Sequence, residues 1–352
     1  MTSRIFIALL WLVTGLASAE EIALNPNHPE SYTVVRGDTL WDIAGRFLRR
    51  PWQWPEIWHE NPQIANPHWI YPGDVLTLTY VDGKPRLSVG RPSEVRLSPQ
   101  IRINPEDQAI PTIPVSSIQQ FLSKPKVVEA GELAESPYIV AFPDDRIVVG
   151  GGDRAYVRGI PEQYARSLMV YRAGPPYKDA ETGESLGYEA LYVGSADYLR
   201  GGDPATVGLT QSQREVLIGD RLMPIEKEKV VMHYLPHSPK TEVQGHIIGM
   251  VDGVTQIGQY QIVVIDRGLS NGIDEGTVLE ITQSGCTRAV VGLAETGCMI
   301  RDTVTSKAAE SVALPEESAG QLLVFKPYPR VSYGLVMVAT RPLHVLDAVR
   351  TP

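Results

Sequence analysis

Five of the six tryptophans in this 352-residue chain, Trp41, Trp52, Trp54, Trp58 and Trp69, fall within 29 residues; the sixth is Trp11. Indole rings carry a large apolar surface and a single N–H donor, so such a cluster serves either as the core of a small module or as a flat platform for a ligand with apolar faces. The residues around it set the order of elements. Residues 31–35 (Ser-Tyr-Thr-Val-Val) are β-formers that stop at the turn-forming Arg36-Gly37-Asp38. Asp38 or Thr39 then caps a helix with apolar positions at Leu40, Ile43, Ala44 and Phe47, and a second helical stretch is expected over 55–61. A turn signal at 70–74 precedes a short strand at 75–78. The predicted order is βααβ.

Charge excludes one function class. With 41 acidic and 32 basic side chains the net charge is −9, whereas nucleic-acid binders concentrate Lys and Arg to displace counterions; no nucleic-acid partner is expected. Residues 1–19 read as a secretory signal peptide: Arg4, an apolar run over 5–16 and the small residues Ala17-Ser18-Ala19. The run falls short of the roughly 20 residues a spanning helix needs, so no membrane span is expected after cleavage. Residues 81–115 hold six prolines (Pro85, Pro92, Pro99, Pro105, Pro111, Pro114), which predicts a semi-rigid linker over that range.

The residues Tyr32-Thr33-Val34, Gly37-Asp38-Thr39-Leu40-Trp41, Ile43-Ala44, Asn61-Pro62 and Ile70-Tyr71-Pro72-Gly73-Asp74-Val75-Leu76 together resemble a LysM module, with the domain placed at 30–80. The segment from Arg49 to Pro55 departs from the simplest pattern as an aromatic-rich insertion. The resemblance implies binding of N-acetylglucosamine-containing chains such as peptidoglycan or chitin. It assigns the groove to Gly37, Asp38, Thr39 and Leu40 on one side and Trp69, Ile70 and Tyr71 on the other. Acetamido groups need backbone donors and acceptors presented by turns, and sugar C–H faces need flat apolar surface. No cofactor is required for such binding.

The tryptophans divide by context. Trp41 and Trp58, on predicted helices, are expected to be partly core, whereas of Trp52, Trp54 and Trp69, beside prolines or in loop-like sequence, at least one is expected to be exposed. His59 and His68 lack a Cys or acidic partner at a ligand spacing, so no metal is expected there.

From residue 116 the texture changes. A short helix is expected at 116–122; beyond it, short β-rich runs (138–141, 146–149, 167–171, 190–193, 247–251, 260–265, 277–281, 322–325, 335–340) alternate with turn signals. The expectation is antiparallel sandwich or barrel modules, divided as 116–240 and 241–352. Gly187, 206–210 and 215–220 find faint counterparts at Gly320, 335–340 and 343–349, an offset of roughly 130 residues; identities are few, and both an internal repeat and independent β segments fit the pattern.

Segments that resemble catalytic motifs fall short of the full patterns. The segment around Cys286 resembles the cysteine motif of L,D-transpeptidases, but Gln283 stands where a Ser or Thr belongs and no His-Gly-Thr element precedes it. In an oxidising compartment Cys286 and Cys298 are expected to form a disulfide, worth ~3 kcal/mol in the chain-entropy model. The triple glycine at 150–152 lacks a phosphate-loop ending and reads as a turn.

The whole layout, a signal peptide, one LysM module, a Pro-rich linker and an acidic β-rich half, resembles the LysM-containing, type IV pilus secretin-associated family of Gram-negative bacteria. That resemblance implies an α+β protein, periplasmic and associated with cell wall and outer membrane, which is not an enzyme. It would bind peptidoglycan through the LysM module and anchor or align the outer-membrane secretin through the rest. Two other readings stay open on sequence: a cell-wall hydrolase or transpeptidase targeted by its LysM module, and a component of a flagellar basal-body-type machine.

Overall fold

The computed structural model describes residues 22–58, 70–90, 109–114, 116–119, 126–129, 131–161, 164–225, 234–251, 256–283, 288–289, 311–312 and 315–352. The signal segment, His59, His68, Trp69, Cys286 and Cys298 lie outside them, and with them the expected disulfide.

The N-terminal unit is a three-stranded antiparallel sheet carrying two helices. Strand β1 (Ser31–Thr33) pairs with β2 (Val75–Val81), which pairs with β3 (Lys84–Gly90). Between β1 and β2 lie α1 (Leu40–Phe47), a 3-10 turn (Pro51–Gln53) and α2 (Trp54–Trp58). The third strand changes the reading of 81–115 as linker, because Val81 ends β2 and 84–90 belong to the sheet. Asp82 and Gly83, at φ 51° and 76°, supply the two positive-φ positions that a tight hairpin needs. Pro85 is tolerated because β3 is an edge strand.

Leu40, Ile43, Phe47, Trp54, Ile57, Trp58, Ile70, Leu76 and Leu87 build the core of this unit, with Trp54 edge-on to Trp58 at 6.5 Å. Trp52 and Trp54 are both buried, contrary to the exposure suggested by their neighbouring prolines; that expectation now rests on Trp69 alone. The 3-10 turn is the cause, since it folds the Arg49–Pro55 insertion inward against α1.

The β-rich region forms two rings. The first uses β4 (Lys126–Val128), β5 (Tyr138–Ala141), β6 (Val148–Val149), β7 (Arg154–Arg158), β8 (Ser167–Lys178), β9 (Ser185–Arg200), β10 (Ala205–Ser212), β11 (Val216–Leu217) and β12 (Arg221–Pro224). A small helix, α3 (Glu132–Glu135), precedes β5. Strands β5, β7, β10, β9, β8 and β12 pair in that circular order, the β9–β10 pairing closing the ring; β4 adds to β9 outside it, and β6 pairs with β11. The second ring is a closed barrel of β13 (Gln244–Met250), β14 (Ile262–Ile265), β19 (Ser332–Ala339), β18 (Glu317–Pro327), β15 (Val278–Gln283) and β20 (Ala348–Arg350). A two-stranded ribbon, β16 (Arg288–Ala289) with β17 (Ser311–Val312), stands apart from both.

The two rings have one topology. Numbering the six ring strands by chain order, both run first, second, fifth, fourth, third, sixth. The agreement extends to single residues. Asp220 accepts the Leu217 N–H at 2.8 Å, and Asp347, 127 positions later, accepts the His344 N–H at 2.8 Å. Gly152 donates to the Leu209 carbonyl and Tyr260 donates to that of Val336, both at 2.7 Å. A Cβ on Gly194 would strike the Gln211 carbonyl, and one on Gly320 the carbonyl of Val338. The faint repeat is therefore a duplication, with Gly194 rather than Gly187 equivalent to Gly320. The interiors match: Leu168, Val170 and Leu222 fill the first, and Leu279, Ile281 and Val349 the second.

The second barrel is apolar on both faces along one wall. Val263, Ile265, Leu322, Val324 and Val336 point inward, while the alternating Ile262, Val264, Leu323, Phe325, Leu335 and Met337 point outward. That outer wall is covered by Trp41 and Trp52 of the N-terminal unit, by Ile113 and Ile118, and by Tyr177 and Leu186 of the long β8–β9 hairpin. Burial on both sides explains why 262–265 reads as unbroken Ile-Val-Val-Ile. At the hairpin tip, Arg267–Asp179 at 3.2 Å and Arg330–Glu184 at 3.0 Å tie the first ring to the second.

Candidate functional site

The site lies between two turns of the N-terminal unit that are stitched together by backbone. After β1, the carboxylate of Asp38 accepts the Val35 N–H and the Tyr32 hydroxyl, both at 2.9 Å, and Gly37 sits at φ 96°. Opposite, Asp74 accepts the Tyr71 N–H at 3.0 Å and Gly73 sits at φ 100°. Both glycines take a left-handed conformation that a side chain would strain. Val34 joins the turns, donating to the Asp74 carbonyl at 2.9 Å and accepting from Gly73 N–H at 2.8 Å. Burial, followed by the bond to Asp38, raises the Tyr32 hydroxyl above its ordinary pKa, and the Arg46 guanidinium lies 4.5 Å from its ring centre.

Thr39 starts α1 as its N-cap: its hydroxyl oxygen accepts the Asp42 N–H at 3.1 Å and its O–H donates to Asp42 Oδ2 at 2.8 Å. The first N–H groups of a helix have no partner within it. Here Leu40 N–H donates to the Pro111 carbonyl at 3.0 Å and Trp41 N–H to the Thr112 carbonyl at 3.1 Å. On the other wall, Ile110 N–H donates to the Ile70 carbonyl at 2.8 Å. Residues 110–112, expected to be part of a semi-rigid linker, lie across the groove and hydrogen-bond to both walls.

The groove residues are accordingly divided. Thr39, Leu40 and Ile70 keep 3%, 4% and 0% of their surface, whereas Gly37 is exposed and Asp38 and Tyr71 are half-buried. Trp69 lies outside the described residues. Sequence reasoning missed Ile110, Pro111 and Thr112; the signal was the Ile-Pro-Thr-Ile-Pro run itself, whose prolines favour an extended backbone able to pair with exposed donors. Among the described residues no group of three His, Cys, Asp or Glu side chains is placed to hold a metal, and no helix is long and apolar enough to cross a membrane.

Comparison with known proteins agrees with this geometry. Residues 32–79 match the LysM domain family. This stretch of the chain is a LysM domain. It is also similar to the uncharacterized protein YqbP of Bacillus subtilis (strain 168), at 42% identity over 60 residues, 14% of this chain and 27% of the relative. The chain thus spans about a quarter of the length of that relative. The LysM domain implies binding of peptidoglycan or a related glycan and is consistent with a place in the cell envelope. It is followed by a strongly β-rich region.

Proposed function

We propose that this protein is a non-enzymatic peptidoglycan-binding adaptor of the periplasm, associated with cell wall and outer membrane. In this reading its LysM domain engages the glycan, and its β-rich half anchors or aligns the outer-membrane secretin of the type IV pilus machinery. The observation that carries the reading is the LysM domain packed through Trp41 and Trp52 onto a closed barrel. The domain is thereby joined to the barrel by packed side chains as well as by the chain that links them. The partner half of the reading rests on the layout of the chain. Two modest contacts joined in one molecule raise each other's effective concentration, which suits holding a large ring against the wall.

Sedimentation of the full mature chain with purified peptidoglycan, in the presence and absence of N-acetylglucosamine oligomers as competitor, tests the first contact. Co-sedimentation that the oligomers abolish is expected; a chain that stays in the supernatant sinks the glycan reading. Crosslinking in intact envelopes followed by pull-down tests the second contact. Recovery of a secretin is expected, whereas recovery of flagellar basal-body components in its place would overturn that assignment.

A further inference from the structure

The LysM groove is already filled by this chain. Ile110 belongs to the LysM core, whereas Ile113, three residues on, belongs to the cluster on the outer wall of the second barrel. Between them Pro111 and Thr112 present their carbonyls to the Leu40 and Trp41 amides, and Thr112 and Ile113 are fully buried. The bound group is a peptide carbonyl, and an acetamido carbonyl is the same secondary amide acceptor. Both cannot use those two N–H donors at once.

We propose that residues 110–112 are a built-in competitor of the glycan, so that binding in this groove requires the segment to leave and loosens the seam between the LysM domain and the second barrel. The proposal rests on the glycan reading given above and adds regulation to it. The closed form holds the two units together through Ile110 and Ile113; the open form exposes Leu40, Trp41 and Ile70. A ligand specific for the open form is weakened by the fraction of molecules that are open, and gains affinity whenever the segment is loosened. Anything that pulls the LysM domain from the barrel would therefore strengthen its hold on the wall.

The test uses the full mature chain and a soluble N-acetylglucosamine pentamer. Calorimetry is expected to show binding at least about tenfold tighter for Ile113→Ser, which removes the anchor on the barrel side and leaves the LysM core intact. Because that variant could disturb the fold, the unaltered chain is followed in parallel by amide hydrogen exchange. On saturation with pentamer the Ile110 amide should lose protection while those of Leu40 and Trp41 keep it, their acceptor having been exchanged. Pentamer binding with Ile110 still protected and with equal affinity in both chains would overturn the competition and leave glycan binding standing. If neither chain binds the pentamer or sediments with peptidoglycan, the glycan reading fails and the competition falls with it.

Discussion

The Tyr260 hydroxyl donates to Asp42 Oδ1 at 3.1 Å, joining α1 of the LysM domain to a turn of the second barrel 218 residues away in sequence. The turn is the duplicate of the one containing Gly152, and the comparison gives the contact its meaning. Gly152 takes φ 95° at no cost, while Tyr260 holds φ 63° with a full side chain. The second copy carries a disfavoured backbone where its tyrosine docks the LysM domain.

Removing that hydroxyl should therefore loosen the docking without unfolding either unit. Tyr260→Phe is expected to lower stability by about 0.5–1.5 kcal/mol, the net worth of one such bond. Faster amide exchange over α1, with the β18–β19 amides unchanged, would place the loss at the seam; exchange rising equally in both would count against it.

The same contact should show in alkali. Burial first, and the Asp42 carboxylate second, push the Tyr260 hydroxyl up to about 12 from an ordinary value of 10. Below pH 10 folded and unfolded chains both keep the proton, and the contribution is constant. Between about pH 10 and 12 only the folded chain keeps it, so stability falls as pH rises. Tyr177, Tyr234 and Tyr333 are also raised by burial and steepen the fall. Denaturant titrations from pH 9 to 12 should show a shallower decline for Tyr260→Phe than for the unaltered chain, and an identical decline would refute the assignment.

Duplicate positions should respond alike. Leu168 and Leu279 are both fully buried and occupy the same place in the two rings, so each change to Ala is expected to cost about 2–5 kcal/mol. Thermal unfolding of the two variants gives the comparison, and a difference much larger than that range would mean that the interiors are not equivalent.

One duplicated pair has diverged instructively. In the first ring Arg172 clasps Asp220 through two bonds of 2.8 and 2.9 Å, with the Asp220 side chain 2% exposed. In the second ring the matching positions are Gln283 and Asp347, joined at 2.9 Å. Arg172→Gln is thus expected to be mild, since the fold already accommodates that pairing, whereas Asp220→Ala strips both Arg172 bonds and the Leu217 N–H bond and should cost roughly 3 kcal/mol. Chemical denaturation ranks the two, and equal losses would contradict the argument.

Much of this fold was legible in the chain because local rules and tertiary context agree. The Gly37-Asp38-Thr39 turn and cap and the Tyr71-to-Asp74 turn are read from short-range chemistry, and the structure builds them from the residues named. Contacts between distant segments were not legible. Six prolines in 81–115 argue for a semi-rigid linker, yet an Asp-Gly hairpin places 84–90 in the sheet, and the groove recruits 110–112. Nothing local in Trp41 or Trp52 says that they face a barrel more than 200 residues downstream. The duplication was faint because the equivalent positions conserve only shape, as Val170 and Ile281 or Val149 and Ile257 illustrate.

The covered outer wall of the second barrel has a consequence for how this protein is handled. Cutting away the LysM domain would take the Trp41 and Trp52 cover from this wall and uncover part of an apolar surface of the kind that drives association. Such a truncated chain would stick to cell-wall fragments and to itself for reasons unrelated to glycan recognition. Point substitutions in the seam are the cleaner instrument, because they leave that surface under its own cover.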